Sequence, residues 1–91
     1  MNEEKILGQW GRMRRAYLKE HRPAIYSTMV MTGELFPHLY QVDEQAELIL
    51  KQMQEHFPAP NRNTDPMAWV RHMNAINAQA REIIREELIY T

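Results

Sequence analysis

The amino-acid sequence predicts a small all-α domain of four helices, with one short buried helix and a long C-terminal helix. Apolar residues recur at intervals of three and four through most of the chain, which is the period of an amphipathic helix. The few proline and glycine residues divide the chain into four such segments. No segment alternates apolar and polar residues as a half-buried strand does. We therefore expect one helical domain over residues 1–91.

The first predicted helix runs from about residue 3 to residue 21. Its apolar stripe has spacings of four, three and four residues and consists of Ile6, Trp10, Met13 and Tyr17. Gly8 and Gly11 weaken this helix, because each costs roughly 1 kcal/mol relative to alanine. Arg22 ends it, because the residue before a proline is biased away from the helical conformation.

The second predicted helix is short and apolar. Pro23 fits its first position, where a missing N–H costs nothing. Gly33 fits its end, since glycine accepts the left-handed conformation common just after a helix. Apolar side chains surround the segment almost completely: Ile25, Tyr26, Met29, Val30 and Met31. A helix that is apolar on all sides tends to be buried, so we expect this helix, together with Ser27, in the interior.

The third and fourth predicted helices flank a loop at about residues 58–64. The third begins near Leu35 or Pro37, and its apolar stripe consists of Leu39, Val42, Ala46, Ile49, Met53 and Phe57. Asp65 and the proline that follows it are typical of a helix start. The last helix is expected to reach the C-terminus, and its stripe consists of Trp69, Met73, Ile76, Ala80 and Ile83.

The net charge of −1 is unevenly distributed along the chain. Residues 1–22 carry six basic and three acidic side chains, a net of +3, whereas residues 23–91 carry five and nine, a net of −4. Four of the basic residues line one side of the first predicted helix: Arg12, Arg15, Lys19 and Arg22. They are candidate contacts to nucleic-acid phosphates, although an ordinary solvated helix face has the same pattern.

The acidic residues of the second half are candidate contacts to a protein partner. Carboxylates on a small helical protein can occupy the nucleic-acid channel of another protein by pairing with its Arg and Lys side chains. The candidates are Glu44, Glu47, Glu55, Glu82, Glu86 and Glu87. A helix-turn-helix built from the second and third helices is disfavoured, because acidic residues occupy the start of the third helix and would repel DNA.

No catalytic, metal or cofactor motif is present. The chain has no cysteine, no glycine-rich phosphate loop and one serine, Ser27, without the surroundings of a nucleophile. The four histidines lack the i, i+4 spacing of zinc-binding helices and lie on different segments: His21, His38, His56 and His72. We therefore expect no enzymatic activity, no cofactor and no bound metal.

A cytoplasmic location without membrane contact is expected. No apolar run approaches the roughly 20 residues that cross a bilayer. The N-terminal residues 1–5 lack the basic and apolar regions of a signal peptide.

Several strings of the sequence resemble the TnpV family of transposon-encoded proteins. They occur, in order, at residues 8–15 (GQWGRMRR), 17–23 (YLKEHRP), 32–35 (TGEL), 43–46 (DEQA), 67–74 (MAWVRHMN) and 86–91 (EELIYT). The resemblance implies a small protein of bacterial mobile elements and supplies no catalytic residues. Glu34 and His72 depart from the family, which tends to have basic residues there, and this lowers the expectation of DNA binding.

The leading hypothesis is a non-enzymatic mobile-element accessory protein that binds a protein partner. That partner would be either a transposition protein or a host-defence effector, such as a CRISPR nuclease, that it inhibits. The alternative is a DNA-binding protein of a transposon that uses the basic side of the first helix. An unrecognised enzyme is the third hypothesis, and a second copy of the chain is a further candidate partner.

Overall fold

A computed structural model describes residues 6–91, and this part of the chain forms helices and no strand. The elements are α1 (Gln9–His21), α2 (Pro23–Thr32), α3 (Leu35–His56), α4 (Pro66–Ile84) and a π-helical turn (Arg85–Ile89) that continues α4. The predicted all-α class, the short second helix and the long C-terminal helix are confirmed. At 22 residues, α3 is the longest of these helices and measures about 33 Å.

The central element is α3. At the N-terminal end of α1, Gly8 and Gly11 contact Asp43, and further along α1 Arg14 contacts His38. Because the later residue of α1 contacts the earlier residue of α3, α1 runs antiparallel to the first half of α3. α4 packs antiparallel against the second half, and α2 packs at the start of α3. Within residues 6–91 the backbones of α1 and α4 stay apart, because the two helices lie against different halves of α3. The result is an elongated molecule with extents of 54 × 31 × 17 Å.

The core consists of two clusters. The first cluster joins α1, α3, α4 and the π-helical turn and contains Trp10, Val42, Ala46, Ile84 and Ile89. The second joins α1 and the residue Leu7 before it to the start of α3, and it contains Leu7, Leu18, Leu35 and Leu39. The predicted stripes of α3 and α4 thus supply part of the core, while Phe57, which follows α3, is 43% exposed.

The first helix begins later than predicted, and its predicted stripe is buried only in part. The helix begins at Gln9, so Ile6 precedes it and is 93% exposed, while residues 3–5 lie outside the described residues. Trp10 of the predicted stripe is buried and Met13 packs against the core, but Leu7 and Leu18 are buried as well and Tyr17 is only half-buried. The helix is therefore rotated about its axis relative to the predicted stripe. The reason is that α3 contacts the side that bears Gly11 and Leu18.

The prediction that α2 is a buried helix was also wrong. None of its ten residues is buried, and Tyr26 and Met29 alone are half-buried, against the second core cluster. Ser27 is exposed as well. Apolar composition favours burial, but α2 contacts α1 and α3 on one side and no other described element covers the rest of it.

The predicted helix ends are confirmed at two positions. Gly33 has φ +78°, the left-handed conformation, and the N–H of Glu34 donates to the carbonyl of Met29 (2.9 Å). Asp65 caps α4, because its Oδ1 accepts from the N–H of Ala68 (3.1 Å). The connection between α3 and α4 comprises residues 57–65.

The π-helical turn brings the end of the chain into the core. The N–H of Tyr90 donates to the carbonyl of Arg85 (2.8 Å), five residues earlier. This wider turn shifts the helical register, so that Ile84 and Ile89 both enter the first core cluster, where each is fully buried. The predicted inward stripe contains Ile83 instead, and Ile83 is only half-buried.

Candidate functional site

Asp43 on α3 caps the N-terminal end of α1. The N–H of Gly8 donates to Asp43 Oδ2 (2.8 Å), and the N–H of Gly11 donates to Oδ1 (2.7 Å). The first N–H groups of a helix have no partner within the helix, and a carboxylate there also interacts favourably with the helix dipole. Gly8, in the capping position, has no side chain that could do this. A residue far along the chain therefore supplies the cap.

The closeness of Asp43 explains both glycines. A Cβ at Gly8 would lie 2.9 Å from Asp43 Oδ1. A Cβ at Gly11 would lie 2.6 Å from Oδ2 and 3.0 Å from the carbonyl oxygen of Leu39. Glycines that weaken an isolated helix thus allow this one to approach α3.

Arg14 is engaged in the fold and is not part of a free basic surface. Its Nη1 donates to the main-chain oxygens of Ile89 (2.8 Å) and Thr91 (3.2 Å), and its Nε donates to His38 Nε2 (3.2 Å). Burial lowers the pKa of Arg14, although the nearby Tyr17 opposes this. The guanidinium ties α1 to the carbonyl groups at the end of the π-helical turn.

None of the four predicted nucleic-acid contacts is buried. Arg12 is exposed, and its Nη1 donates to the carbonyl of Leu7 (2.6 Å). Arg15 is half-exposed, whereas Lys19 and Arg22 are exposed. Within residues 6–91, no carboxylate lies within 4.0 Å of these four side chains. Three of them lie on α1 itself, and Arg22 lies in the C-cap position between α1 and α2.

An exposed apolar surface lies on and beside α2. We call it the α2 surface, and it consists of Ile25, Val30, Met31 and Phe36, which are between 40% and 86% exposed. No charged residue occurs between Pro23 and Gly33. A shallow groove runs beside it, lined by Met29, Val30, Gly33, Leu35 and Phe36. Lys19, one of the basic residues of α1, reaches α2, because its Nζ lies 6.0 Å from the ring centroid of Tyr26.

The comparison with protein families gives a match over almost the whole chain. A family model described as transposon-encoded protein TnpV matches residues 1–89. The chain belongs to the TnpV family. Comparisons with curated proteins and with solved structures returned no match. The family description associates this protein with transposons, as the resemblance implied.

Two of the strings that carry the resemblance to TnpV meet in space. Residues 8–15 contain both glycines that Asp43 contacts, and residues 43–46 begin with Asp43 itself. Their contact therefore has a structural role in this TnpV protein, because it holds α1 against α3. Among the helices described, none is long and apolar enough to cross a bilayer.

The six predicted partner-binding carboxylates of the TnpV chain are all exposed. The Nε2 of Gln54 donates to Asn77 Oδ1 (3.3 Å), so these two residues lie opposite each other in the antiparallel pair α3 and α4. At this register Glu44 and Glu47 lie at the same end of the pair as Glu82, Glu86 and Glu87. Glu55 lies nearer the connecting loop. A contact of all six with one partner stays a prediction.

The four histidines have separate neighbours in the fold. His21 lies beside Glu20, His38 accepts from Arg14, the ring of His56 contacts the ring of Phe57, and His72 Nε2–H donates to the carbonyl of Phe57. Within residues 6–91, no group of three or more His, Asp or Glu side chains is placed to hold a metal ion. The expected absence of a metal site stays a prediction.

Sequence patterns alone did not reveal the α2 surface or the cap formed by Asp43. The α2 surface was missed because its apolar residues were assigned to the core. The sequence carried no signal against that assignment, because a helix that is apolar on all sides tends to be buried. For the cap formed by Asp43, the sequence contains one indirect indication, which is the pair of glycines three residues apart near the start of α1.

The position of His38 predicts a loss of stability below neutral pH. Burial, and secondarily the charge of Arg14, lower the pKa of His38, and only the neutral imidazole can accept the bond from Arg14. The unfolded state takes up the proton at about pH 6.5. The stabilising contribution is therefore complete above that pH and is lost as the pH falls through the lower pKa of the folded state.

Urea unfolding at a series of pH values tests this expectation. The free energy of unfolding should fall more steeply between about pH 7.5 and about pH 5.5 for the unaltered protein than for His38→Gln. His56→Gln, at an exposed position, is the control and should keep the steep dependence. Equal slopes for His38→Gln and the unaltered protein would contradict the assignment.

Proposed function

We propose that this TnpV-family protein is a non-enzymatic accessory protein of a mobile element that binds a protein partner through the α2 surface. The observation that carries the proposal is a helix without charge, whose apolar side chains face solvent. Monomeric proteins rarely expose contiguous apolar patches, and larger ones mark interaction sites. Met31 alone is 86% exposed, and its flexible side chain adapts to varied partners.

The structure of α2 suits it to act as a preformed ligand. Pro23 starts the helix, Gly33 ends it in the left-handed conformation, and Thr28 Oγ1 donates to the carbonyl of Ala24 (2.9 Å). These local interactions define the helix without covering its outer side. An apolar helix of this kind fits a hydrophobic groove on another protein, and little ordering entropy is lost because the helix already exists.

The charges around the α2 surface indicate what the groove of the partner should contain. Lys19 and Arg22 border α2, and neither has a carboxylate partner within residues 6–91. We expect acidic side chains at the edge of the partner's groove, where they would steer association. A transposition protein of the same element and a host-defence effector such as a CRISPR nuclease are the two partners to test. For the defence effector, we propose further that binding inhibits it.

A binding assay with two valine variants tests the proposal. Val30→Asp should weaken binding to a purified transposition protein or defence nuclease about tenfold or more, because a hydrophobic contact would then bury an unpaired carboxylate. Val70→Asp is the matched control, since Val70 lies on α4 and is similarly exposed (44% against 51%). The proposal is wrong if both variants bind as the unaltered protein does.

DNA binding is a second candidate function. The observation that favours it is the set of cations without carboxylate partners in the described part of the chain: Arg12, Arg15, Lys19 and Arg22. Anisotropy of a labelled DNA duplex at two salt concentrations separates the two functions. Binding that weakens steeply with salt, and that the double variant Arg15→Glu/Lys19→Glu abolishes, would place DNA first. No binding at low salt would remove this candidate.

A further inference from the structure

One side of α2 carries only uncharged side chains and is open to solvent. Helical spacing places five residues on this side, which we call the outer face of α2: Ala24, Ile25, Thr28, Met31 and Thr32. All five are exposed. Tyr26 and Met29 lie on the other side of the helix, where they pack against the second core cluster. In the part of the chain that the structure describes, α2 contacts only α1 and α3.

The polar side chains on the outer face of α2 already have hydrogen-bond partners. Thr28 Oγ1 donates to the carbonyl of Ala24 (2.9 Å), and Thr32 Oγ1 donates to the carbonyl of Met29 (3.3 Å). Burying a hydroxyl without a partner is costly. Both acceptors belong to α2 itself, so covering the outer face leaves these bonds in place. The face can therefore be buried against another apolar surface without leaving a side-chain hydroxyl unpaired.

The two ends of α2 carry opposite charges. Arg22 directly precedes the helix, and Glu34 follows its C-cap residue. Both are exposed, and neither has an oppositely charged partner within residues 6–91. Each lies six residues from Thr28, and the apolar Ile25 and Met31 each lie three residues from it. Positions at equal distances from Thr28 are therefore complementary, since one pair is opposite in charge and the other is apolar.

We propose that the outer face of α2 is the contact of a two-fold symmetric homodimer, in which the α2 helices of two copies pack antiparallel. With the axis beside Thr28, Arg22 of each copy lies opposite Glu34 of the other, and Ile25 lies opposite Met31. A two-fold axis joins the same surface of both copies. The antiparallel arrangement pairs opposite charges at both ends of the contact and also places the helix dipoles favourably. A second copy thus supplies the complementary charges that this face requires.

The contact is small, so the two copies should associate and dissociate readily. α2 has ten residues and is about 15 Å long. A contact of this length stays below the roughly 1,200 Å² of stable interfaces, in the range of transient complexes. The dimer itself does not depend on the proposed function. The partner in that function would also contact Ile25 and Met31, so a second copy should compete with it, and this competition alone rests on the proposed function.

The mass in solution tests the dimer. Light scattering should give the chain mass of 10.9 kDa at low micromolar concentration and approach twice that mass at high micromolar concentration. Thr28→Asp, which places like charges at the axis, should keep one chain mass throughout and retain its helical circular dichroism. Val30→Asp should still dimerise, because helical spacing places Val30 on the side of α2 opposite Thr28. A single-chain mass for the unaltered protein at every concentration would overturn the proposal.

Charge reversal tests the antiparallel arrangement. Arg22→Glu and Glu34→Arg should each raise the dissociation constant of the dimer about tenfold, because each variant places like charges opposite each other at both ends of the contact. The double variant Arg22→Glu/Glu34→Arg should restore dimerisation, since the charges are then exchanged. A double variant as weak as the single ones would overturn the arrangement. So would a dimer that neither Thr28→Asp nor Arg22→Glu weakens, because its contact would lie elsewhere.

Val30→Asp also separates the dimer from the proposed function, because the variant should lose the protein partner and keep the dimer. If the unaltered protein stays a single chain and Val30→Asp loses the partner, the dimer is wrong and the proposed function stands. If the unaltered protein dimerises and Val30→Asp binds the partner normally, the dimer stands and the proposed function is wrong.

Discussion

Gly11→Ala should lower the free energy of unfolding by about 1–3 kcal/mol, although alanine is the better helix former. The added Cβ would lie 2.6 Å from Asp43 Oδ2 and 3.0 Å from the carbonyl oxygen of Leu39. The carboxylate can move away, but it then gives up its bonds to the N–H groups of Gly8 and Gly11. The free energy of unfolding therefore falls for two reasons, the clash of the added Cβ and the loss of part of the helix cap.

A double-mutant cycle at Gly8 separates the cap from the rest of the packing. Asp43→Ala should cost about 1–2 kcal/mol, because the first N–H groups of α1 lose their acceptor. Gly8→Ala should be destabilising in the unaltered protein and close to neutral beside Asp43→Ala, since the three heavy atoms nearest to a Cβ at Gly8 all belong to Asp43. Additive effects in urea unfolding would contradict the contact between these residues.

Ile89→Ala should have the largest effect of these substitutions, about 2–5 kcal/mol. Ile89 is fully buried against Trp10, Val42, Ala46 and Ile84, so truncation leaves a cavity between three helices. A chain of 91 residues has a total stability of roughly 5–14 kcal/mol. The variant should therefore be marginally folded at ambient temperature, with a midpoint of thermal unfolding well below that of the unaltered protein.

The control for Ile89→Ala is Val70→Ala, at an exposed position on α4, which should change the free energy of unfolding by no more than about 0.5 kcal/mol. Arg14→Met supplies a related comparison, because it removes the donor to the Ile89 carbonyl but leaves the cluster filled. Its effect should be smaller than that of Ile89→Ala. Equal stability of Ile89→Ala and the unaltered protein would show that the π-helical turn does not pack as described.

The sequence by itself determined the helices and where most of them end. The period of the apolar residues is local, and Pro23, Gly33 and Asp65 act on the backbone within a few residues of themselves. Their effects could therefore be predicted without knowing what the helices pack against. The same holds for the exposed carboxylates, since a side chain such as Glu47 or Glu86 is costly to bury.

Only the tertiary structure decided which side of each helix is buried. Arg14 and Asp43 look like surface charges in the sequence, yet they hold α1 to the end of the chain and to α3. The apolar α2 looks like a core helix, yet it lies on the surface. Helical periodicity states which residues share a face, whereas burial depends on which other element contacts that face. That choice rests on contacts between residues far apart in the chain, and local patterns do not contain it.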